Sequence, residues 1–137
     1  MMSSNNYTQV FQETVPNSFA SIISDYEFLL TKVNDWMFEL RSRNCLITVI
    51  LDKVQVFVDI EPVRTDQVPD IRYLNKLDLG RIINCIDPRA NFEYKFNREA
   101  ERVRDETDRL AKMLRQYCAQ FLAGNFADWS RIYDQKC

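Results

Sequence analysis

Histidine is absent from the 137-residue chain. Its absence removes the commonest general base, the usual imidazole metal ligand and every Cys-His or Ser-His-Asp arrangement. Glycine occurs only twice, so a glycine-rich phosphate loop cannot be assembled. The four cysteines, Cys45, Cys85, Cys118 and Cys137, form no CxxC pair, which excludes zinc-ribbon and thioredoxin-type motifs. No apolar run approaches the roughly 18 to 20 residues needed to span a bilayer. The opening MMSSNNYTQVF carries neither the basic nor the apolar region of a secretory signal. A formal charge of −2 supplies no basic footprint for nucleic acid or an anionic membrane. The expectation is a cytoplasmic protein with reduced thiols, Cys45, Cys85 and Cys118 acting as small core hydrophobes and Cys137 exposed.

What is present is material for one core. Apolar residues make up 46% of the chain and charged residues 28%, a globular composition with too many aromatics for a disordered one. At this length a single α+β domain over residues 1–137 is expected, with residues 1–14 flexible or loosely docked.

The periodicity predicts the element order α-β-β-β-α-α-α. Phe19, Ile22, Ile23, Tyr26, Leu29 and Leu30 recur at helical spacing, and Pro16 suits a helix start, so a first helix is expected from Pro16 to Thr31. The pattern then turns to period two. WMFELRSR sets Trp36, Phe38 and Leu40 against Met37, Glu39 and Arg41, and VQVFVDI alternates Val54, Val56, Val58 and Ile60 against Gln55, Phe57 and Asp59. Between them CLITVIL is apolar at nearly every position, as expected of a central strand. The short polar breaks at Ser42 to Asn44 and Asp52 to Lys53 fit hairpins, giving a three-stranded antiparallel meander.

A long polar loop, EPVRTDQVPDIRY, follows the last strand, and loops of this length often carry function. DLGRIINCID then reads as a short helix capped by Asp78, with Leu79, Ile82, Ile83 and Ile86 inward and Pro88 ending it. From Asn97 as N-cap, Ala100, Val103, Thr107, Leu110, Leu114, Tyr117 and Phe121 repeat at three and four, widened by Ala111, Cys118 and Leu122. This long helix is expected to cover the sheet, with Asp105 to Arg109 and Asp108 to Lys112 paired on its outer face. Gly124 follows the stripe where a left-handed residue ends a helix. Asn125 or Asp128 caps the next turn, so that Phe126, Trp129 and Ile132 fold back over the core as a clasp.

The order of DYEFLL, VFVDIEP and LRQYCAQFLAGNFADW resembles small bacterial proteins of unknown function that end in a helix, a glycine and a tryptophan. The resemblance spans most of the chain and implies no activity or catalytic residue. By size and composition such chains are similar to immunity proteins of bacterial toxin systems.

Function is therefore expected to lie in protein binding and not in catalysis. Asp59, Glu61, Asp66 and Asp70 lack the spacing and glycine of a calcium loop, so neither metal nor cofactor is expected. Asp59 and Glu61 share a strand face, and an exposed sheet face or salt bridges to Arg41 or Arg43 account for them in preference to catalysis. The candidate partner surface is the polar sheet face plus the loop: Arg41, Arg43, Phe57, Asp59, Glu61, Arg64 and Asp66. The alternative is a structural homo-oligomer joined through the sheet or the long helix. Leu114→Ala should cost about 2 to 5 kcal/mol in urea unfolding; a loss below about 1 kcal/mol would contradict its place in the buried stripe.

Overall fold

The computed structural model describes residues 3–135. At its amino end Tyr7, Val10, Phe11, Thr14 and Val15 are buried, a three-four spacing that makes Ser3–Ser18 a helix, α1, with one face in the core. The expected loose segment at 1–14 is thus, from Tyr7 onward, part of the core, and Phe11 packs edge-on to Phe38 with ring centroids 5.6 Å apart. Pro16 lies inside α1 and not at a helix start.

The single helix expected over Pro16–Thr31 is also corrected. The chain breaks at Phe19, forms α2 (Ala20–Tyr26), and stops at Glu27, whose φ of 59° is left-handed. Leu29 and Leu30 then enter a strand, β1 (Leu29–Asn34), pairing with Arg41 and Leu40 of β2 (Met37–Arg41). A short apolar run satisfies helical and extended spacing equally well, and here the hydrogen bonds of the sheet decide.

Five strands replace the three expected. β3 (Cys45–Asp52) and β4 (Gln55–Pro62) follow β2 as hairpins, and β5 (Leu77–Asp78) closes the order β1-β2-β3-β4-β5, antiparallel throughout. The coarse reading holds: the fold is α+β, with CLITVIL in the central strand. Register carries Phe38, Val49 and Val58 into one row of the inner face and Leu40, Ile47 and Ile60 into the next, all buried. Trp36, which alternation assigns to the same face, lies instead in the turn before β2, 46% exposed, because the strand begins one residue later.

The loop after β4 is built from two single-turn 3-10 segments, Thr65–Gln67 and Ile71–Tyr73. Gln67 Oε1 accepts from the backbone N–H groups of Val63 and Arg64, and its Nε2 donates to the Asn44 carbonyl at 2.6 Å. α3 (Leu79–Ile86) starts as expected, the Asp78 carboxylate accepting from the Arg81 N–H at 3.1 Å. Leu79, Ile82 and Ile83 point inward, whereas Ile86, at the helix end, is 40% exposed.

α4 (Ala100–Leu122) begins after Glu99, two residues beyond the expected cap. Asn97 instead ties two distant segments together: its Nδ2 donates to the Val54 carbonyl at 2.7 Å, and its own carbonyl accepts from the Tyr7 hydroxyl at 2.8 Å. Except for Tyr117, which is only partly buried and whose hydroxyl donates to Asp87 at 3.0 Å, the stripe from Val103 to Leu122 is buried as its spacing predicts. Its charge pairing differs. Arg109 bridges to Glu106, at 2.7 Å, and Asp108 accepts from Ser18. No helix among the described residues is long and apolar enough to cross a membrane.

Cys45 and Cys118 are free and buried, as expected. Cys85 is partly buried and disulfide-bonded, which corrects the reduced reading for that thiol; Cys137 lies outside the described residues. α4 ends as the glycine predicts. Gly124 has φ +97°, the Asn125 N–H reaches back to the Gln120 carbonyl at 2.8 Å, and the last helix, α5 (Trp129–Asp134), returns over the core. Phe121, Phe126 and Trp129 form a mutually packed aromatic cluster, and the Trp129 indole N–H donates to the Tyr73 carbonyl at 2.9 Å. A Cβ at position 124 would approach Asn44 Oδ1 at 2.7 Å. Gly124→Ala should therefore cost at least the 1 to 2 kcal/mol, roughly, of a left-handed alanine, measured by urea unfolding; a neutral result would contradict the clasp geometry.

Candidate functional site

Strand alternation leaves β2, β3 and β4 with a second face that the core does not use. Register sorts its side chains into rows. Met37, Ile50 and Phe57 form one, Glu39, Thr48, Asp59 and Asp78 the next, and Arg41, Leu46 and Glu61 a third. Leu29 extends the third row onto β1. Although CLITVIL is apolar at nearly every position, only one of its faces is buried: Leu46 and Ile50 are half-buried on this outer face.

At the end of this face where the β1–β2 and β3–β4 turns lie side by side, a cavity of about 720 Å³ opens. Trp36, Ile50 and Phe57 give it an apolar surface, Asp59 and Asp78 line it with carboxylates, and Thr8, Leu51, Asp52 and Lys53 complete the lining. Tyr94 packs at a tilt of 60° against Phe57, with ring centroids 4.7 Å apart. Its hydroxyl donates to Asp78 Oδ1 at 2.6 Å and accepts from the Gly80 N–H at 3.2 Å.

Asp59 and Asp78 face each other across the β4–β5 pair. Burial holds the Asp59 carboxyl above its ordinary range; Lys76 pulls it back, while Asp78 and Glu61 push it further up. The Lys76 Nζ lies 3.7 Å from Asp59 Oδ2, on a side chain 62% exposed. Of the two readings of Asp59, an exposed sheet face or a salt bridge to Arg41 or Arg43, the second is not met among the described residues: the cation beside it is Lys76.

The seven residues singled out from sequence fall into two groups. Phe57 and Asp59 line the cavity, and Arg41 and Glu61 flank Leu46 on the same face. Arg43, Arg64 and Asp66 lie at the turn between β2 and β3 and in the loop after β4. There the Arg64 guanidinium donates to the Arg43 carbonyl and pairs with Asp66 at 3.1 Å, so Arg64 braces the loop to the turn. Sequence reasoning passes over Trp36, Ile50 and Asp78. Alternation places the first two inward or fully covered, and the capping role of Asp78 is enough to account for it.

The nucleophile inventory is subdued. Burial pushes the Cys45 thiol up to about 12, Ser42 lowering it slightly, and raises Cys118 as well, so both are protonated at neutral pH. Burial first, then Asp78, raises the Tyr94 hydroxyl too. Among the described residues no three side chains of the histidine, cysteine or carboxylate kind gather into a metal-binding group. Compared with protein-family models, curated proteins and solved structures, the chain matches none.

Asp59 binds its proton more tightly in the folded chain than in the unfolded one. Its favourable contribution to stability is present below the ordinary value of 3.8 and is lost as pH rises through the higher folded value. The exposed Lys76 bridge offsets little of this loss. Asp59→Asn should raise Tm at pH 7 by a few degrees, with the gain vanishing near pH 3 in a thermal-unfolding series. A variant less stable at pH 7 would show the charged carboxylate to be well compensated.

Proposed function

We propose that this chain is a non-enzymatic protein-binding module of the immunity or inhibitor type, acting through the outer sheet face and the 61–73 loop. The observation that carries this reading is the composition of that face. Met37, Leu46, Ile50 and Phe57 stay part-exposed beside Glu39, Arg41, Asp59 and Glu61, a mixture of apolar anchors and charge that suits a protein interface. Leu29 on the same face is 70% exposed and Ile71 in the loop 74%. Aliphatic side chains held in water at such density favour a partner that covers them.

The loop supports the same reading. Gln67 ties it to Asn44, Asp70 caps its second turn, and Tyr73 donates to Asp134 at 2.6 Å. A loop already ordered loses little entropy when a partner docks. The alternative, a homo-oligomeric structural subunit, draws less support. The open edge of the sheet is β1, which carries Lys32 and slips register between Lys32 and Asn34, and both features oppose strand-to-strand joining.

The test is affinity capture of the tagged protein from its native lysate, with molar mass by light scattering, for the parent chain and for Arg41→Glu combined with Phe57→Ala. One stoichiometric foreign protein is expected with the parent. Its affinity should fall at least about tenfold in the variant, the loss of more than 1 kcal/mol that an anchor residue carries, with circular dichroism unchanged. Equal capture by both chains would remove this face, and a stable dimer with no foreign protein would favour the homo-oligomer.

A further inference from the structure

The outer-face cavity has a chemistry of its own, independent of whether a protein covers the sheet. Its apolar part is aromatic on two sides: Trp36 from the turn before β2 and Phe57 from β4, with Ile50 of β3 between their strands. Its polar part is anionic. Asp52, Asp59 and Asp78 line it against the single cation Lys53 among the described lining residues. Asp59 and Phe57 are two residues apart on one strand face, so the carboxylate stands about 7 Å along the strand from the ring.

Asp78 is well supplied with donors, from the Tyr94 hydroxyl and the Arg81 N–H. Asp59 is not. Among the described residues its one cationic partner is the long, exposed contact with Lys76. Asp59 is a half-buried carboxylate that faces a second carboxylate, Asp78, across the β4–β5 pair and has only this exposed lysine as countercharge; burial first, and then that repulsion, raises its affinity for a proton.

We propose that this cavity binds an organic cation: a primary ammonium joined by a short spacer to a flat apolar body. The ammonium sits between Asp59 and Asp78, where it supplies the missing charge and displaces Lys76. The apolar body lies on Ile50 between Trp36 and Phe57. A cavity of about 720 Å³ is in the range that encloses a small molecule. A hydrated divalent metal fits poorly, since it requires six or more oxygen ligands and the lining residues Trp36, Ile50 and Phe57 offer no side-chain oxygen.

Phenethylamine is the probe, with 2-phenylethanol as its neutral counterpart of the same shape. Each is titrated into the full chain at pH 7 while amide and indole resonances are followed by two-dimensional NMR. Saturable shifts at the Trp36 indole and in the Phe57–Asp59 segment are expected with the amine, and at least tenfold weaker binding with the alcohol. Asp59→Asn should bring the amine down to the alcohol's affinity, while Trp36→Ala weakens both probes. Thermal unfolding of each variant confirms that it is folded, and Trp36, exposed at a turn, can be replaced without opening the core. Equal affinity for amine and alcohol, shifts confined to other surfaces, no saturable binding, or an amine affinity untouched in Asp59→Asn would each overturn the proposal. None of these outcomes depends on capturing a protein partner, so this site and the proposed interface fail separately.

Discussion

Ile47, Val49, Val58 and Ile60 on β3 and β4 have no contact with solvent, and what excludes it is the apolar stripe of α4 together with α1 and α3. Each such side chain contributes about 1.5 to 3 kcal/mol when fully withdrawn from water, far more than the surface ion pairs on the helix. The rest of the architecture follows from that contact. One sheet face must be apolar and closed, so alternation makes the other available, and the helices are confined to one side. Side chains staple β4 and the turn before it where the two-residue β5 does not reach: Asn97 bonds the carbonyl of Val54, just before the strand, and the Tyr94 hydroxyl lies 3.2 Å from the Val58 carbonyl. The Glu106–Arg109 pair then holds the segment carrying them, Glu106 accepting from the Lys95 N–H and Arg109 donating to the Glu93 carbonyl.

Much of this was legible in the sequence wherever one local rule operated without competition. The α4 stripe runs for about six turns, long enough that no strand pattern imitates it, and Gly124 follows it where the helix end turns to positive φ. Asp78 before an apolar three-four pattern marked the start of α3. Failures came where two rules agreed on a short window. Phe19 to Leu30 satisfies helical spacing, yet Glu27 turns left-handed and Leu29 pairs with Arg41, so the end of that window is strand. β5 is too short to have a period at all, and its existence depends on Ile60 and Asp59 offering it an edge.

The site was legible in part for the same reason. Phe57 and Asp59 stand on a strand with clean alternation, so their common face could be read directly. Trp36 escaped because alternation extends one residue past the strand, into the turn. Asp78 has two duties: one carboxylate oxygen caps α3, and the other accepts from Tyr94 while the side chain lines the cavity. A pattern read along the chain finds the first duty. Only the pairing of Asp59 with Asp78, far along the chain, brings out the second.

Three side-chain hydrogen bonds tie α1 and α2 to the far half of the chain, Tyr7 to Asn97, Ser18 to Asp108 and Asp25 to Arg115, each across 90 residues. Closing contacts so distant is slow, and synthesis delivers the two halves in sequence. While the chain emerges from the ribosome, Phe11, Val15 and Ile22 therefore wait for α4 with their apolar faces uncovered. Exposed apolar surface of that kind favours aggregation, so the order of synthesis leaves the amino-terminal half dependent on the rapid arrival of α4.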